Sequence, residues 1–288
     1  MSNIDTITPI SVVEIDGVEV PLVGGGSNLD IKPLQDAVAD YSSALKPYSG
    51  IVLKTLADNS WSTIAFVSEE IVKNKYTEQQ IYDMYGWSIG DQKSFETISG
   101  EYCVATIIDF LHDEDLDSNK TGITFEFEYL LASKYNLNNT STNVGGWANC
   151  PFRNNTLPTI FDTLPEELQS SIKYVQKKFA NGDKNNATGI EYSTDRLFIP
   201  SAIEIGLSVD TSKVYDYYGE GTEYTAYSRG RSRIKYQYAD LATPVAWITR
   251  TPMLGFLSSH SWTQVKTNGT SNYVGSTSSQ GILLMFCI

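Results

Sequence analysis

From Gly182 onward, short apolar stretches alternate with loops rich in Gly, Ser, Asn and Thr. That spacing admits short strands and leaves no room for long helices. Upstream, apolar residues recur at helical spacing. Thr77 and Gln80 form a capping-box pattern ahead of a short helix ending at Gly86. Tyr102–Phe110 reads as a buried strand, and Thr124–Tyr135 as a helix carrying Leu130, Leu131 and Tyr135. A helix is expected from Pro165 to Ala180, with Glu166 and Glu167 at its start, Lys173, Lys177 and Lys178 near its end, and Leu168, Ile172, Val175 and Phe179 on one face. A few helices followed by many short strands is an α+β pattern, and no internal repeat is evident.

Three segments are expected. Residues 1–28 form an arm, in which Val12, Val13, Ile15, Val18, Val20 and Leu22 flank an Asp16-Gly17 hairpin turn, and Gly24-Gly25-Gly26-Ser27 forms a hinge. Such an arm suits anchoring on a partner protein through strand pairing. Residues 29–60 hold a helix from Asp30 to Lys46, then a strand with a turn from Ser49 to Ser60. Residues 61–288 form the main domain.

Charge is divided unevenly. Residues 1–130 hold 22 acids against 7 bases, a net −15, and residues 131–288 hold 12 against 14, a net +2. The whole chain, at −13, repels nucleic-acid phosphates, so no nucleic acid is expected as partner. No apolar run reaches the ~18 residues that span a bilayer. The first residues lack a signal-peptide pattern, so synthesis in a cytoplasm is expected. Cys103, Cys150 and Cys287 are far apart, without metal or redox spacing, and read as buried free thiols.

Several constellations could carry function. Asp113, Asp115 and Asp117 alternate in an acidic loop and could offer oxygens to calcium, although the helix-loop-helix calcium pattern fails at its sixth and twelfth positions. The other reading is a solvated loop. No further cofactor is expected. Tyr215, Tyr217, Tyr218, Tyr224, Tyr227, Tyr236 and Tyr238 lie among or beside glycines and serines, a composition suited to an exposed binding loop or to cross-strand packing. Arg229, Arg231, Arg233 and Lys235 recur at period two and would share one side of an extended segment, ready for phosphates or for pairing with acids such as Glu220 and Glu223 or with the acidic half of the chain. Catalytic signatures are missing: His112 and His260 are the two histidines, and no nucleophile elbow is present. The chain is therefore not expected to be an enzyme.

The order of motifs Gly145-Gly146-Trp147 with Arg153, Leu164-Pro165, Asp195-Arg196-Leu197-Phe198, Trp247 with Arg250 and Pro252, and Phe286-Cys287-Ile288 resembles a bacterial and phage domain family of C-type-lectin-like fold. The likeness covers roughly residues 60–288. It departs at Ala246-Trp247, where the family has two tryptophans, and at Leu283-Leu284, where it has Arg-Pro. The resemblance implies a C-type-lectin-like domain displayed on a phage virion, on a tail fibre, baseplate or capsid. Implied partners are other virion proteins, host-surface glycans and copies of itself, a trimer being favoured. It also implies a framework role for Trp147, Arg153, Trp247 and Arg250. A stand-alone bacterial surface-binding protein and a cell-wall glycan hydrolase are the alternatives.

Overall fold

The computed structural model describes residues 11–15, 18–22, 52–182, 189–214, 217–253 and 260–288. The chain divides into two units, Met1–Pro47 and Tyr48–Ile288. In the first, β1 (Ser11–Ile15) pairs antiparallel with β2 (Val18–Leu22), and Ile15 stands opposite Val18. Two residues connect them, the register expected of a hairpin. The expected anchoring positions Val12, Val13, Ile15, Val18, Val20 and Leu22 are all ladder positions. The glycine hinge and the helix expected from Asp30 to Lys46 lie outside the described residues.

The second unit has a 3-10 turn at Leu56–Asp58, overlapping the turn expected at residues 57–60, but residues 52–55 do not form the strand expected before it. Asn59 accounts for the difference: its amide group bonds the Leu53 backbone at both N–H and carbonyl and the Thr55 carbonyl, closing a compact loop. Helix α1 follows (Trp61–Asn74), capped by the Ser60 hydroxyl on the Thr63 N–H. It buries Trp61, Ile64, Val67 and Ile71, a helical stripe. Helix α2 (Glu78–Tyr85) carries the expected capping box at Thr77 and Gln80 and stops at Gly86.

These helices cover a five-stranded antiparallel sheet of β3 (Gln92–Glu96), β4 (Tyr102–Phe110), β6 (Ile123–Phe127), β16 (Met285–Cys287) and β9 (Leu197–Phe198), in that order. The Trp61 ring stands edge-on to Phe95, Phe125 and Phe286 at 5.8–6.1 Å, tying α1 to the sheet. Gly122, at the head of β6, passes directly under α1: a Cβ there would sit 2.3 Å from the Ser68 carbonyl oxygen. Gly122→Ala is expected to cost ~1–3 kcal/mol through this overlap, seen as a melting temperature lower by several degrees. An unchanged melting temperature would mean that helix and strand are not so closely seated.

Two expected helices are strands over part of their length. Residues 124–127 belong to β6, buried on both faces between β4 and β16. β-branched and aromatic residues fit that pleated surface better than a helix. Leu130, Leu131 and Tyr135 instead donate their N–H groups to Tyr236, Ile282 and Gln280. Downstream, α3 (Leu157–Phe161) and α4 (Glu166–Ser171) are short, and the chain turns extended at Ile172. Residues 175–180 form β7, which lies between β5 (Glu114–Asp115) and β8 (Ile190–Asp195) in a three-stranded sheet. Val175, Lys177 and Phe179 alternate inward, so a period of two displaces the expected period of 3.6.

A four-stranded sheet contains β14 (Ser271–Gly275), β13 (Ser261–Val265), β12 (Trp247–Pro252) and β15 (Gly281–Ile282), with β12 and β15 parallel. The short ladder of β10 (Lys235–Gln237) and β11 (Asp240–Val245) lies apart from it. The content is α+β and mostly sheet. Among the described residues no helix is long and apolar enough to cross a membrane.

Candidate functional site

The residues expected to form an exposed binding loop divide between surface and interior. Tyr215 lies outside the described residues, as does the side chain of Tyr217. Tyr218 is exposed, but Tyr224 and Tyr227 are buried beside the short helix α5 (Thr225–Ser228). The Tyr227 hydroxyl donates to Glu126 at 2.5 Å. Arg231 donates to Glu126 at 2.9 Å and Glu128 at 2.6 Å, and the buried Lys235 ammonium also pairs with Glu126. Arg229 grips Glu78 with both Nη atoms at 2.7 Å, and Arg233 donates to the carbonyls of Ile205 and Gly206. The four do not share one side: the turn through residues 225–230 carries Arg229 to Glu78, Arg231 and Lys235 both reach Glu126, and Arg233 turns to backbone carbonyls. The acids they meet, Glu78, Glu126 and Glu128, belong to the negative half of the chain, as one of the two expected pairings had it. This segment is a clamp over β4 and β6.

The acidic loop also disperses. Asp115 accepts the N–H groups of Asp117 and Asn119 at 2.9 Å, a local turn. Asp117 is exposed and Asp113 faces inward. Among the described residues no group of three His, Cys, Asp or Glu side chains is placed to hold a metal ion.

Asp113 instead joins a buried ionic chain under a cleft of about 340 Å³. Strand β7 delivers the Lys177 ammonium, which pairs with Asp113 and with Glu204. Arg250, on β12, forks onto Glu204 at 2.6 and 2.7 Å. It also donates to the carbonyls of Lys178, Ile199 and Glu220. Burial pushes the Asp113 carboxyl up, but Lys177 and His112 more than offset it and hold it well below the ordinary range. Glu204 is lowered despite burial, by Arg250 and Lys177. Burial depresses Lys177, yet Asp113 and Glu204 carry it above its ordinary value. Two cations thus balance two carboxylates.

Glu220 is the third carboxyl. Burial pushes it up to about 8, against the pull of Arg250 and its bonds to Thr251 and the Ala180 N–H. It is therefore protonated at neutral pH. His112 tilts over Tyr224 at 4.2 Å, and its Nε2 lies 3.0 Å from the Thr222 hydroxyl. Its Nδ1 stands 3.7 Å from Asp113, too far for a hydrogen bond, so among the described residues His112 is not joined to an acid as in a nucleophile–histidine–acid relay.

Trp147 and Trp247 are buried and donate their indole N–H groups to Asp195 and to the Arg233 carbonyl. Gly146 lets Trp147 in: with φ at +55°, any Cβ there would lie 2.2 Å from the Ala180 carbonyl oxygen. The thiols of Cys103 and Cys150 are pushed up to about 12 by burial, and that of Cys287 is raised too. All three are inert at neutral pH.

An open site lies at the other end of the five-stranded sheet. Tyr102 at the start of β4, Tyr129 just past β6 and Tyr238 in the β10–β11 turn face a groove of about 280 Å³. The Tyr238 ring lies 4.7 Å from Tyr102 and 5.4 Å from Tyr129. Tyr102 is 37 % exposed and Tyr238 49 %. Leu130, Leu131 and Phe127 floor the groove, and Glu101 stands at its edge. Sequence reasoning placed Tyr238 among clustered tyrosines but missed Tyr102 and Tyr129. Their convergence depends on the pairing of Ala105 with Phe127, which no local pattern announces.

A family model described as a domain of unknown function (DUF6273) matches residues 119–288. No curated protein and no solved structure matches the chain.

Proposed function

This chain belongs to the DUF6273 family, and we propose that it is a non-catalytic glycan-binding protein displayed on a phage virion. In this reading its second unit is a C-type-lectin-like domain. The hairpin of β1 and β2 anchors it to other virion proteins, and repeated copies, a trimer being favoured, add avidity on a host surface. The tyrosine groove carries the proposal. Tyrosine offers a flat apolar face for the C–H side of a sugar ring and a hydroxyl for its rim, at small entropy cost. An apolar floor with few polar groups is the usual make-up of a small-molecule site.

Retention of the purified chain on host cell-wall polysaccharide tests it. Tyr238→Ala is expected to weaken binding roughly tenfold, the equivalent of ~1.4 kcal/mol for one lost ring contact. Tyr238 is half exposed, so the fold should persist. Unchanged retention in the variant would remove the groove from consideration.

One observation favours a hydrolase instead. Glu220, held protonated, and the ionised Glu204 and Asp113 line a single cleft. Carboxyls with separated proton affinities serve as acid and base in glycoside hydrolysis. Against this, each of the three is already committed to buried neighbours.

A further inference from the structure

A second, smaller cleft of about 240 Å³ lies between α3 and the corner where β8 passes into β9. We propose that it binds an anionic oxygen group, a phosphate or a carboxylate, carried on the glycan that the tyrosine groove engages. The carrier rests on the glycan-binding reading; the anion site stands on its own geometry.

Two arginines and one aspartate supply the charge that lines this cleft. Arg153 is engaged through all three of its nitrogens. Its Nε donates to Asp195 at 2.6 Å, one Nη to Asn154 at 2.9 Å and the other to the Thr194 carbonyl at 2.8 Å. Asp195 also accepts from the Trp147 indole and from the Ser193 hydroxyl. The Arg153–Asp195 pair is therefore neutral, and both Asp195 oxygens are taken.

Arg196 is different. Its guanidinium carbon lies 3.6 Å from the Phe161 ring centroid and 5.1 Å from that of Tyr174. Among the described residues it has no ion-pair or hydrogen-bond partner. Elsewhere in this unit Arg229, Arg231 and Arg250 all fork onto carboxylates. Arg196 thus leaves the cleft one uncompensated positive charge.

Stacking supplies what a surface arginine lacks. A guanidinium held by its face keeps its N–H donors at the edge, in the planar fork that matches a carboxylate or phosphate. The aromatic contact holds the side chain in place before a ligand arrives, so less entropy is lost on binding. The Tyr174 hydroxyl, on an exposed ring at the rim, offers a further donor. The net −13 of the chain opposes an incoming anion, but salt at physiological strength screens charges beyond about 8 Å and leaves the local one in control.

The test is a titration of the ¹⁵N-labelled full chain with inorganic phosphate and, separately, with glucuronate, followed by amide chemical shifts. Saturable shifts at Tyr174 and residues 194–197 with either anion support the site, and the stronger of the two names the group. Arg196→Gln should weaken binding at least about tenfold, with Arg196→Lys between it and the parent, because lysine keeps the charge but not the fork. Failure of both anions to move these amides, or an Arg196→Gln titration that matches the parent, overturns the proposal. Loss of neutral-glycan binding at the tyrosine groove, with these shifts intact, would count against the glycan reading alone.

Discussion

Lys177→Met is expected to destabilise the protein by ~3–5 kcal/mol, the usual cost of stripping the counter-charge from buried carboxylates. Lys177 is the ammonium that Asp113 and Glu204 share, and all three side chains are buried. Methionine fills a similar volume, so the loss reports charge more than packing. Urea denaturation at pH 7 measures it. Adding Asp113→Asn should recover part of the loss, since an amide needs no cation. The pH dependence should move too. In the parent, Asp113 and Glu204 are held below their ordinary values, so their stabilisation is present above the unfolded carboxylate range and is lost as pH falls through their lowered folded values. Without Lys177 that acid-side loss begins at higher pH. A destabilisation under about 1 kcal/mol would mean that the ion chain is dispensable.

Glu220→Gln should act in the opposite direction, stabilising the protein at neutral pH. The Glu220 carboxyl titrates near 8 in the fold, against 4.5 ordinarily. Between those values the folded chain holds a proton that the unfolded chain has released, so parental stability falls as pH rises from 4.5 to about 8. Glutamine has no such proton. It can still accept from the Ala180 N–H and meet Thr251. The expected gain is on the order of 3 kcal/mol at pH 7 and vanishes below the unfolded value. Thermal denaturation across this range should give a flatter profile in the variant, and superimposable profiles would refute the assignment. The same variant separates the two functional readings: a hydrolase using Glu220 as its acid would lose turnover while gaining stability, and a binding protein would keep its ligand.

Local chemistry was legible where the chain decides matters locally. The Thr77–Gln80 box, the Gly86 stop, the Tyr102–Phe110 strand and the two-residue hairpin register were all readable, because each depends on neighbours within a few residues. The misread elements were decided at a distance. Val175 to Ala180 carries a helical stripe and a strand alternation together, and the pull of Asp113 on Lys177, across 64 residues, selects the strand. Residues 124–127 become a strand because β4 and β16 bracket them. The site was harder still. Tyr224 and Tyr227 have the composition of a binding loop, but their hydroxyls satisfy Asp113 and Glu126 in the interior. The open tyrosines come from three separate elements. Arg196 was visible only as part of a motif, because a missing partner is a property of the folded surroundings.

Strand β16 has a consequence for how this protein is made. Residues 285–287 stand between β6 and β9, and the Ile288 carbonyl receives both the Ile123 N–H and the Ser68 hydroxyl. A translating ribosome therefore delivers the middle of the sheet after its flanks. Until those residues emerge, β6 and β9 wait with open edges, the kind of exposed ladder that recruits stray strands. Nascent chains stalled before Met285 should be the aggregation-prone species, and chaperone demand should fall once residues 285–287 have emerged.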